Sequence, residues 1–186
     1  MQVLRKTKLH NARLLAQELF EGKYRKNGEP YINHCIGVFD ILKQYGFQGD
    51  ILIAAILHDI YEDTHYERDK IVQNFGSQVD FFIQGVSKDK YKGPRTKNLH
   101  SPRFIAYFFH LQNSCVINPR VVFLKLSDII DNLKTINIFS PKKIIRKKEE
   151  IRKCYIPFFD QISHRHMSRW QKQKYKTIKI QLLGFL

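Results

Sequence analysis

Two pairs of adjacent ionisable residues lie close together in the first third of the chain. His58 and Asp59 directly follow a strongly apolar run, Ile51 to Leu57, and a second pair, Glu62 and Asp63, comes one helical turn later. If the run is helical, residues four positions apart share a face, which brings the two pairs together. Burying so many ionisable groups at the end of an apolar helix is costly unless a cation neutralises them. The spacing therefore predicts a metal site.

Three more polar residues interrupt apolar patterns elsewhere. His34 lies in the helical pattern that precedes the apolar run, Asp128 interrupts an apolar helix from Val121 to Ile136, and Asn132 comes one turn later. Taken singly, a histidine on an apolar face is more often a hydrogen-bonded core residue, and a helical aspartate is usually exposed. Two imidazoles and two carboxylates together suit a divalent ion of intermediate hardness, such as manganese, iron or zinc. The combination favours the metal site.

Four ordered segments carry a family resemblance. They are YRKNGEPYINH at 24–34, AILHDIYEDT at 55–64, FG with GVSK between 75 and 88, and KLSDIIDNLKT at 125–135. They resemble the motifs R-x-x-G-x-P-Y-I-x-H, L-L-H-D-x-x-E-D-T, F-G with G-V-T-K, and K-L-A-D-x-x-x-N-x-x-T. These motifs belong to the HD-domain hydrolases of the RelA/SpoT type, particularly their small single-domain forms. The resemblance keeps order and spacing over roughly 9–155.

The resemblance implies a role for each matched residue. It implies four ligands for a manganese ion, namely His34, His58, Asp59 and Asp128. Glu62 and Asp63 would orient or deprotonate the attacking water. Arg25 and Lys26 would hold the phosphate or base of the substrate, and Tyr31, Asn132 and Thr135 would line the nucleotide pocket. A bound divalent ion lowers the pKa of its water from about 16 towards about 7 at best, and manganese helps less than zinc.

The activity implied by the resemblance is removal of the 3′-pyrophosphate from the guanosine alarmones ppGpp and pppGpp, which yields GDP or GTP and pyrophosphate. Another phosphorylated nucleotide, such as an adenosine alarmone or NADPH, is the alternative substrate. Lys23, Asn27 and the stretch 88–102 are where discrimination would lie. Cys35 and Asp131 also depart from the family pattern, but neither change removes a proposed ligand or base.

The elements that must position these residues are helical in pattern. Nine stretches have helical spacing or helix-boundary signals: Leu9 to Phe20, Tyr31 to Tyr45, Asp50 to Asp63, Thr64 to Phe75, Gln78 to Val86, Arg103 to Leu111, Val121 to Ile136, Pro141 to Tyr155, and Pro157 to Tyr175. Residues 88–102 are predicted to form a loop, and Thr177 to Leu183 could form a short strand. We expect an all-α HD-domain bundle in one domain over 1–186, with its core at about 9–155 and basic helices at about 141–176.

Composition sets the remaining expectations. The 186 residues are 43% hydrophobic, three scattered cysteines suggest no disulfide framework, and neither a signal peptide nor a membrane span is visible. We therefore expect a cytoplasmic protein. The formal net charge of +15 predicts attraction to polyanions. A nucleic-acid-binding or regulatory protein that uses the basic C-terminal helices is thus a competing hypothesis from another class, although few aromatic residues interleave there to stack on bases.

Overall fold

The computed structural model describes residues 2–88 and 101–186, with side chains described from residue 7 onward. Its contacts separate into two compact units, Met1–Lys90 and Tyr91–Leu186. Every regular element in the described ranges is helical, and an isolated antiparallel bridge joins Tyr24 to Pro30. The predicted all-α class is confirmed. The predicted loop at 88–102 lies almost entirely outside the described residues, and the single domain over 1–186 stays a prediction.

The first unit is organised around one apolar helix. Its helices are α1 (Gln2–Leu19), α2 (Tyr31–Gln44), α3 (Asp50–Leu57), α4 (Ile60–Asp63), α5 (Arg68–Phe75) and α6 (Ser77–Val86). All residues of α3 from Ile51 to Leu57 are buried, because α1, α2 and α6 pack around it. A helix that is apolar on every side can be stable only in such an interior position. The residues that directly follow the carboxyl end of α3 therefore begin at a buried position.

The predicted helix from Asp50 to Asp63 is wrong in one respect, because it is interrupted. Asp59 has φ −95° and ψ 3°, which ends the regular geometry after α3. Its carbonyl oxygen accepts hydrogen bonds from the amides of both Glu62 and Asp63, each at 3.0 Å, and so begins α4. Asp59 and Asp63 consequently remain one helical turn apart, whereas His58 and Glu62 belong to different helical segments.

The second unit is built around α8. Its elements are α7 (Pro102–Ile117), α8 (Arg120–Lys134), a 3₁₀ turn (Ile136–Ile138), α9 (Pro141–Glu150), a π-helical turn (Ile151–Tyr155), α10 (Ile156–His166) and α11 (Arg169–Leu183). Ser101 caps α7, because its hydroxyl accepts a hydrogen bond from the Phe104 amide at 3.2 Å. Most of α8 is buried between α7 and α11. The polar residues of α8 are thereby held inside this unit.

The C-terminal helices differ from the predicted ones. The helix expected to end at Tyr155 runs on into α10 through the π-helical turn, in which the Ile156 amide bonds to the Ile151 carbonyl. Pro157 follows this widened turn, which accommodates a residue that cannot donate a backbone hydrogen bond. The helix expected from Pro157 to Tyr175 is then divided at Ser168, which forms a capping box with Gln171.

The possible strand from Thr177 to Leu183 is wrong, because this segment belongs to α11. Ile178 is fully buried, whereas Ile180 is 71% exposed. A strand would place these two side chains on the same face, and a helix separates them. Short alternation of apolar and polar residues therefore misled the prediction.

Two further observations concern the apolarity of the helices and the cysteines. None of the helices in the described part of the chain combines the length and apolarity needed to span a bilayer. Cys35, Cys115 and Cys154 are free thiols.

Candidate metal centre

Three potential metal ligands converge in the first unit. His34 comes from α2, His58 follows α3, and Asp59 precedes α4. Asp59 Oδ2 lies 3.2 Å from His58 Nε2 and 3.5 Å from His34 Nε2. One donor atom from each residue lies within 4.8 Å of the others, and both imidazoles are buried. The structure therefore brings together three of the four residues that the sequence suggested as ligands.

The hydrogen bonding of His58 fits a metal ligand. Its Nδ1 lies 2.9 Å from the carbonyl oxygen of Ala55. A carbonyl oxygen can only accept, so Nδ1 carries a hydrogen, and Nε2 faces the Asp59 carboxylate. Nε2 and a carboxylate oxygen at 3.2 Å attract each other only when a proton or a metal ion lies between them. The nitrogen and oxygen donor set fits a divalent ion of intermediate hardness.

The Asp59 carboxyl group is ionised in this surrounding. Burial acts to raise its pKa, but the charges and hydrogen bonds of His58 and His34 outweigh burial and hold the pKa of Asp59 well below its usual range. A carboxyl group must lose its proton to bind a metal ion. The electrostatics of the cluster therefore agree with its donor chemistry.

Tyr31 links Asp59 to a second carboxylate. Its hydroxyl lies 2.7 Å from Asp59 Oδ2 and 2.8 Å from Asp63 Oδ2, and its ring stacks on Phe20 at 5.0 Å between centroids. Burial first, and then the two carboxylates, raise the pKa of the Tyr31 phenol, which therefore keeps its proton. One hydroxyl hydrogen serves two acceptors, so Tyr31 holds the two side chains at a fixed separation. The sequence suggested only that Tyr31 lines the nucleotide pocket, and this role stays a prediction.

The two carboxylates after the metal cluster are held differently. Glu62 is half-buried, and its Oε1 accepts a hydrogen bond from the Lys88 backbone amide at 2.7 Å. Asp63 is exposed, and the Lys23 ammonium group donates to its backbone carbonyl. The Lys88 amide thus holds the Glu62 side chain in place. The roles of Glu62 and Asp63 at the attacking water stay predictions.

A tight loop before α2 presents the two basic residues expected to hold the phosphate or the base of the substrate. The Arg25 amide donates to the Glu29 carbonyl at 2.8 Å, and the Gly28 amide donates to the Arg25 carbonyl at 2.9 Å. Gly28 has φ +85°, a conformation that favours glycine. Arg25 is half-buried and Lys26 is exposed. Burial first, and then the Asp59 charge, raise the pKa of the Cys35 thiol on α2.

The remaining predicted site residues lie in the second unit. Asp128 Oδ2 accepts a hydrogen bond from Lys125 Nζ at 2.7 Å, and its Oδ1 accepts one from Asn132 Nδ2 at 2.5 Å. Burial acts to lower the pKa of Lys125, but the Asp128 charge and hydrogen bond, together with Tyr107 and Tyr155, outweigh burial and raise the pKa. Thr135 follows the last residue of α8. The site roles of Asp128, Asn132 and Thr135 stay predictions.

Loss of the Lys125–Asp128 ion pair is expected to destabilise the protein. Lys125→Met leaves the buried Asp128 carboxylate without its counter-charge, and we expect it to lower the free energy of unfolding by about 3–5 kcal/mol. Lys70→Met is the matched control, because Lys70 makes an i,i+3 pair with Glu67 in which both side chains are more than half exposed. Its expected cost is below about 1 kcal/mol. Urea denaturation with EDTA present measures both, and equal losses would contradict the assigned importance of the buried pair.

Two contacts of these clusters were not anticipated from the sequence. The Lys125–Asp128 pair has the i,i+3 spacing of a helical ion pair, so it could have been recognised from the sequence. The contact of Tyr31 with Asp59 and Asp63 spans 28 and 32 residues, and no local signal indicates it.

The fold and the cluster define a class of protein. The HD-domain family model matches residues 12–161, so this chain belongs to the HD-domain family. Within that family, the chain is 33% identical over 161 residues to the bifunctional (p)ppGpp synthase/hydrolase SpoT of Escherichia coli, an alignment that covers 86% of this chain and 22% of SpoT. The resemblance to RelA/SpoT-type hydrolases is thus confirmed.

Two other curated relatives are described as 3′-pyrophosphohydrolases. The guanosine-3′,5′-bis(diphosphate) 3′-pyrophosphohydrolase of Haemophilus influenzae is 31% identical over 83% of this chain and 22% of the relative. That of Aquifex aeolicus is 35% identical over 76% of this chain and 20% of the relative. The chain therefore spans about a fifth of the length of these curated relatives.

A solved structure supports the fold over nearly the whole chain. It is described as a metazoan ortholog of SpoT that hydrolyzes ppGpp and plays a role in starvation responses, and it matches with a TM-score of 0.64. The match covers 96% of this chain and 97% of that chain at 22% sequence identity. At this identity the likeness concerns the fold.

Proposed function

We propose that this protein is a metal-dependent phosphohydrolase that removes the 3′-pyrophosphate from ppGpp and pppGpp, releasing GDP or GTP and pyrophosphate. The observation that carries the proposal is the convergence of His34, His58 and Asp59 donor atoms. The relatives described as 3′-pyrophosphohydrolases support the substrate class. The proposed place of the reaction is the cytoplasm, where it would lower alarmone levels during the stringent response.

His34, His58 and Asp59 would hold the metal ion, with Asp128 as the proposed fourth ligand and manganese as the proposed ion. A divalent ion at such a site acidifies a bound water and withdraws charge from the phosphoryl group under attack. Tyr31 keeps the Asp59 carboxylate oriented through its hydroxyl hydrogen bond. In this proposal, the ligands bind the metal ion directly, and Tyr31 positions one of them by a hydrogen bond.

The protein side chains would supply the proton transfers and bind the charge of the substrate. Glu62 is proposed to take a proton from the attacking water, with Asp63 beside it orienting that water. The water oxygen would bond to the phosphorus next to the ribose 3′ oxygen, that phosphorus–oxygen bond would break, and the 3′ oxygen would take a proton. Arg25 offers a planar donor group for phosphate oxygens, and Lys26 offers a point charge.

The nucleotide part of the substrate is proposed to contact Tyr31, Asn132 and Thr135. Asn132 is already committed to Asp128, since its Nδ2 donates both to the Asp128 carboxylate and to its backbone carbonyl. A substrate contact of Asn132 would therefore use the side-chain carbonyl, which can accept from a base or a ribose hydroxyl.

A substrate panel tests the proposal. Protein stripped with EDTA and reloaded with manganese is incubated separately with ppGpp, pppGpp, an adenosine alarmone and NADPH, and pyrophosphate and phosphate release are measured. We expect metal-dependent release of one pyrophosphate per guanosine alarmone and no turnover in EDTA. Hydrolysis of only the adenosine alarmone or NADPH would overturn the guanosine assignment and retain the enzyme class. Absence of turnover on all four substrates by metal-loaded protein would overturn the hydrolase proposal.

A further inference from the structure

The first unit contains a cavity that the candidate metal centre does not use. It has a volume of about 420 Å³ and lies between α4, the segment that follows α4, the first residue of α5 and the end of α6. Tyr61, His65, Tyr66, Arg68 and Gln84 form most of its wall. Its volume falls within the range of pockets that enclose small organic ligands, and it is far larger than an isolated phosphate ion requires.

One buried carboxylate fixes three parts of this wall. Asp80 is only 2% exposed, and it pairs with Arg68 through Nε and Nη2 at 3.0 and 2.8 Å to Oδ2. The Tyr61 hydroxyl donates to Asp80 Oδ1 at 2.8 Å, and Gln84 Nε2 donates to Oδ2 at 2.7 Å. The Arg68 guanidinium group therefore balances the negative charge of Asp80. Asp80 in turn holds three wall side chains in place before any ligand arrives, which lowers the entropic cost of binding.

The orientation of Arg68 leaves part of its guanidinium group for a ligand. The side-on pair with Asp80 uses Nε and Nη2, so the hydrogens of Nη1 point away from that carboxylate. The Arg68 side chain is 60% exposed, although its partner Asp80 is buried. The hydrogen bonds to Asp80 raise the pKa of Arg68 and keep it cationic.

The wall combines aromatic faces with positive or donating groups. Tyr61 and Tyr66 supply rings, Arg68 supplies a cation, and the exposed His65 supplies an imidazole. No acidic residue is among those that line this described cavity, so it disfavours a cationic ligand. Tyrosine rings stack on planar bases, and arginine binds phosphate.

We propose that this cavity binds a nucleoside monophosphate, with the base against the Tyr66 ring and the phosphate at Arg68 Nη1 and His65. The residues that line this site do not include His34, His58, Asp59, Glu62 or Asp63, and the proposed contacts with the nucleotide involve protein side chains alone. The proposal therefore stands independently of the proposed hydrolase function.

Calorimetry in EDTA tests the site. The whole chain with Arg25→Ala, which removes a proposed phosphate contact elsewhere, is titrated separately with GMP, AMP, guanosine and inorganic phosphate. We expect one mononucleotide per chain, bound more tightly than either guanosine or phosphate alone. Adding Tyr66→Ala should weaken binding about tenfold or more, because stacking on the base is lost, whereas Tyr66→Phe should retain it. His65→Ala should weaken the binding of the mononucleotide and leave the binding of guanosine unchanged.

Three outcomes would overturn the proposal. They are no mononucleotide binding to the Arg25→Ala chain, unchanged binding after both Tyr66→Ala and His65→Ala, and phosphate that binds as tightly as the mononucleotide. Tyr66 is half-buried and His65 is exposed, so a folding defect in one variant leaves the other informative. Circular dichroism melting of each variant identifies such a defect.

Discussion

Replacing Asp59 by alanine is expected to abolish divalent-ion-dependent pyrophosphate release, with a loss of about three orders of magnitude or more. Loss of a group that only orients a ligand typically costs about 10–100-fold, and Asp59 is proposed as a ligand itself. Its Oδ2 is the atom that both imidazoles and the Tyr31 hydroxyl approach. The variant should also bind less manganese per chain.

The Asp59→Ala protein should remain folded. The contact that begins α4 is made by the backbone carbonyl of Asp59, and alanine retains this carbonyl. Turnover, metal content by mass spectrometry and helicity by circular dichroism separate loss of the site from loss of the fold. Asp40→Ala is the matched control, since Asp40 is exposed on α2, and it should behave as the unaltered protein. An Asp59→Ala variant with full metal content and full turnover would remove Asp59 from the ligand set.

The central part of the site could be predicted from local sequence because its signals are local. An apolar run that ends in His58 and Asp59 indicates that the helix is buried and that polar groups lie at its end. The interruption at Asp59 could not be predicted in the same way, since no glycine or proline marks it. Tertiary hydrogen bonds through the Asp59 carboxylate, to Tyr31 for example, join residues distant in sequence and outweigh local helix propensity.

The hydrogen-bond network around Asp80 is a second feature that could not be predicted from local sequence. Asp80 lies 12 residues from Arg68 and 19 from Tyr61, and each residue by itself reads as an ordinary position of an amphipathic helix. Only the packing of α4 and α5 against α6 makes these side chains one cluster. Helix type was predictable from periodicity, whereas side-chain networks between helices depend on distances that the sequence does not contain.

Replacing Glu62 by glutamine is expected to lower kcat for pyrophosphate release by about 10²–10⁴-fold, the usual contribution of a positioned general base. The Glu62 side chain is held by its Oε1, which accepts the Lys88 amide hydrogen at 2.7 Å. Glutamine keeps an oxygen that can accept this hydrogen bond, so its position should be retained while its basicity is lost. Manganese content and KM should therefore stay close to those of the unaltered protein, in contrast to Asp59→Ala.

A kcat that falls alone distinguishes a base from a metal ligand, because loss of a ligand also lowers metal content. Glu67→Gln makes the same chemical change at an exposed residue five positions later, where the carboxylate pairs only at the surface with Lys70 at 3.3 Å. This control should leave kcat unchanged. Steady-state kinetics with saturating manganese, repeated across neutral and acidic pH, provide the measurement. If Glu62→Gln turned over as fast as the Glu67→Gln control, the proton would have to be taken by another group, and Asp63 would be the next residue to replace.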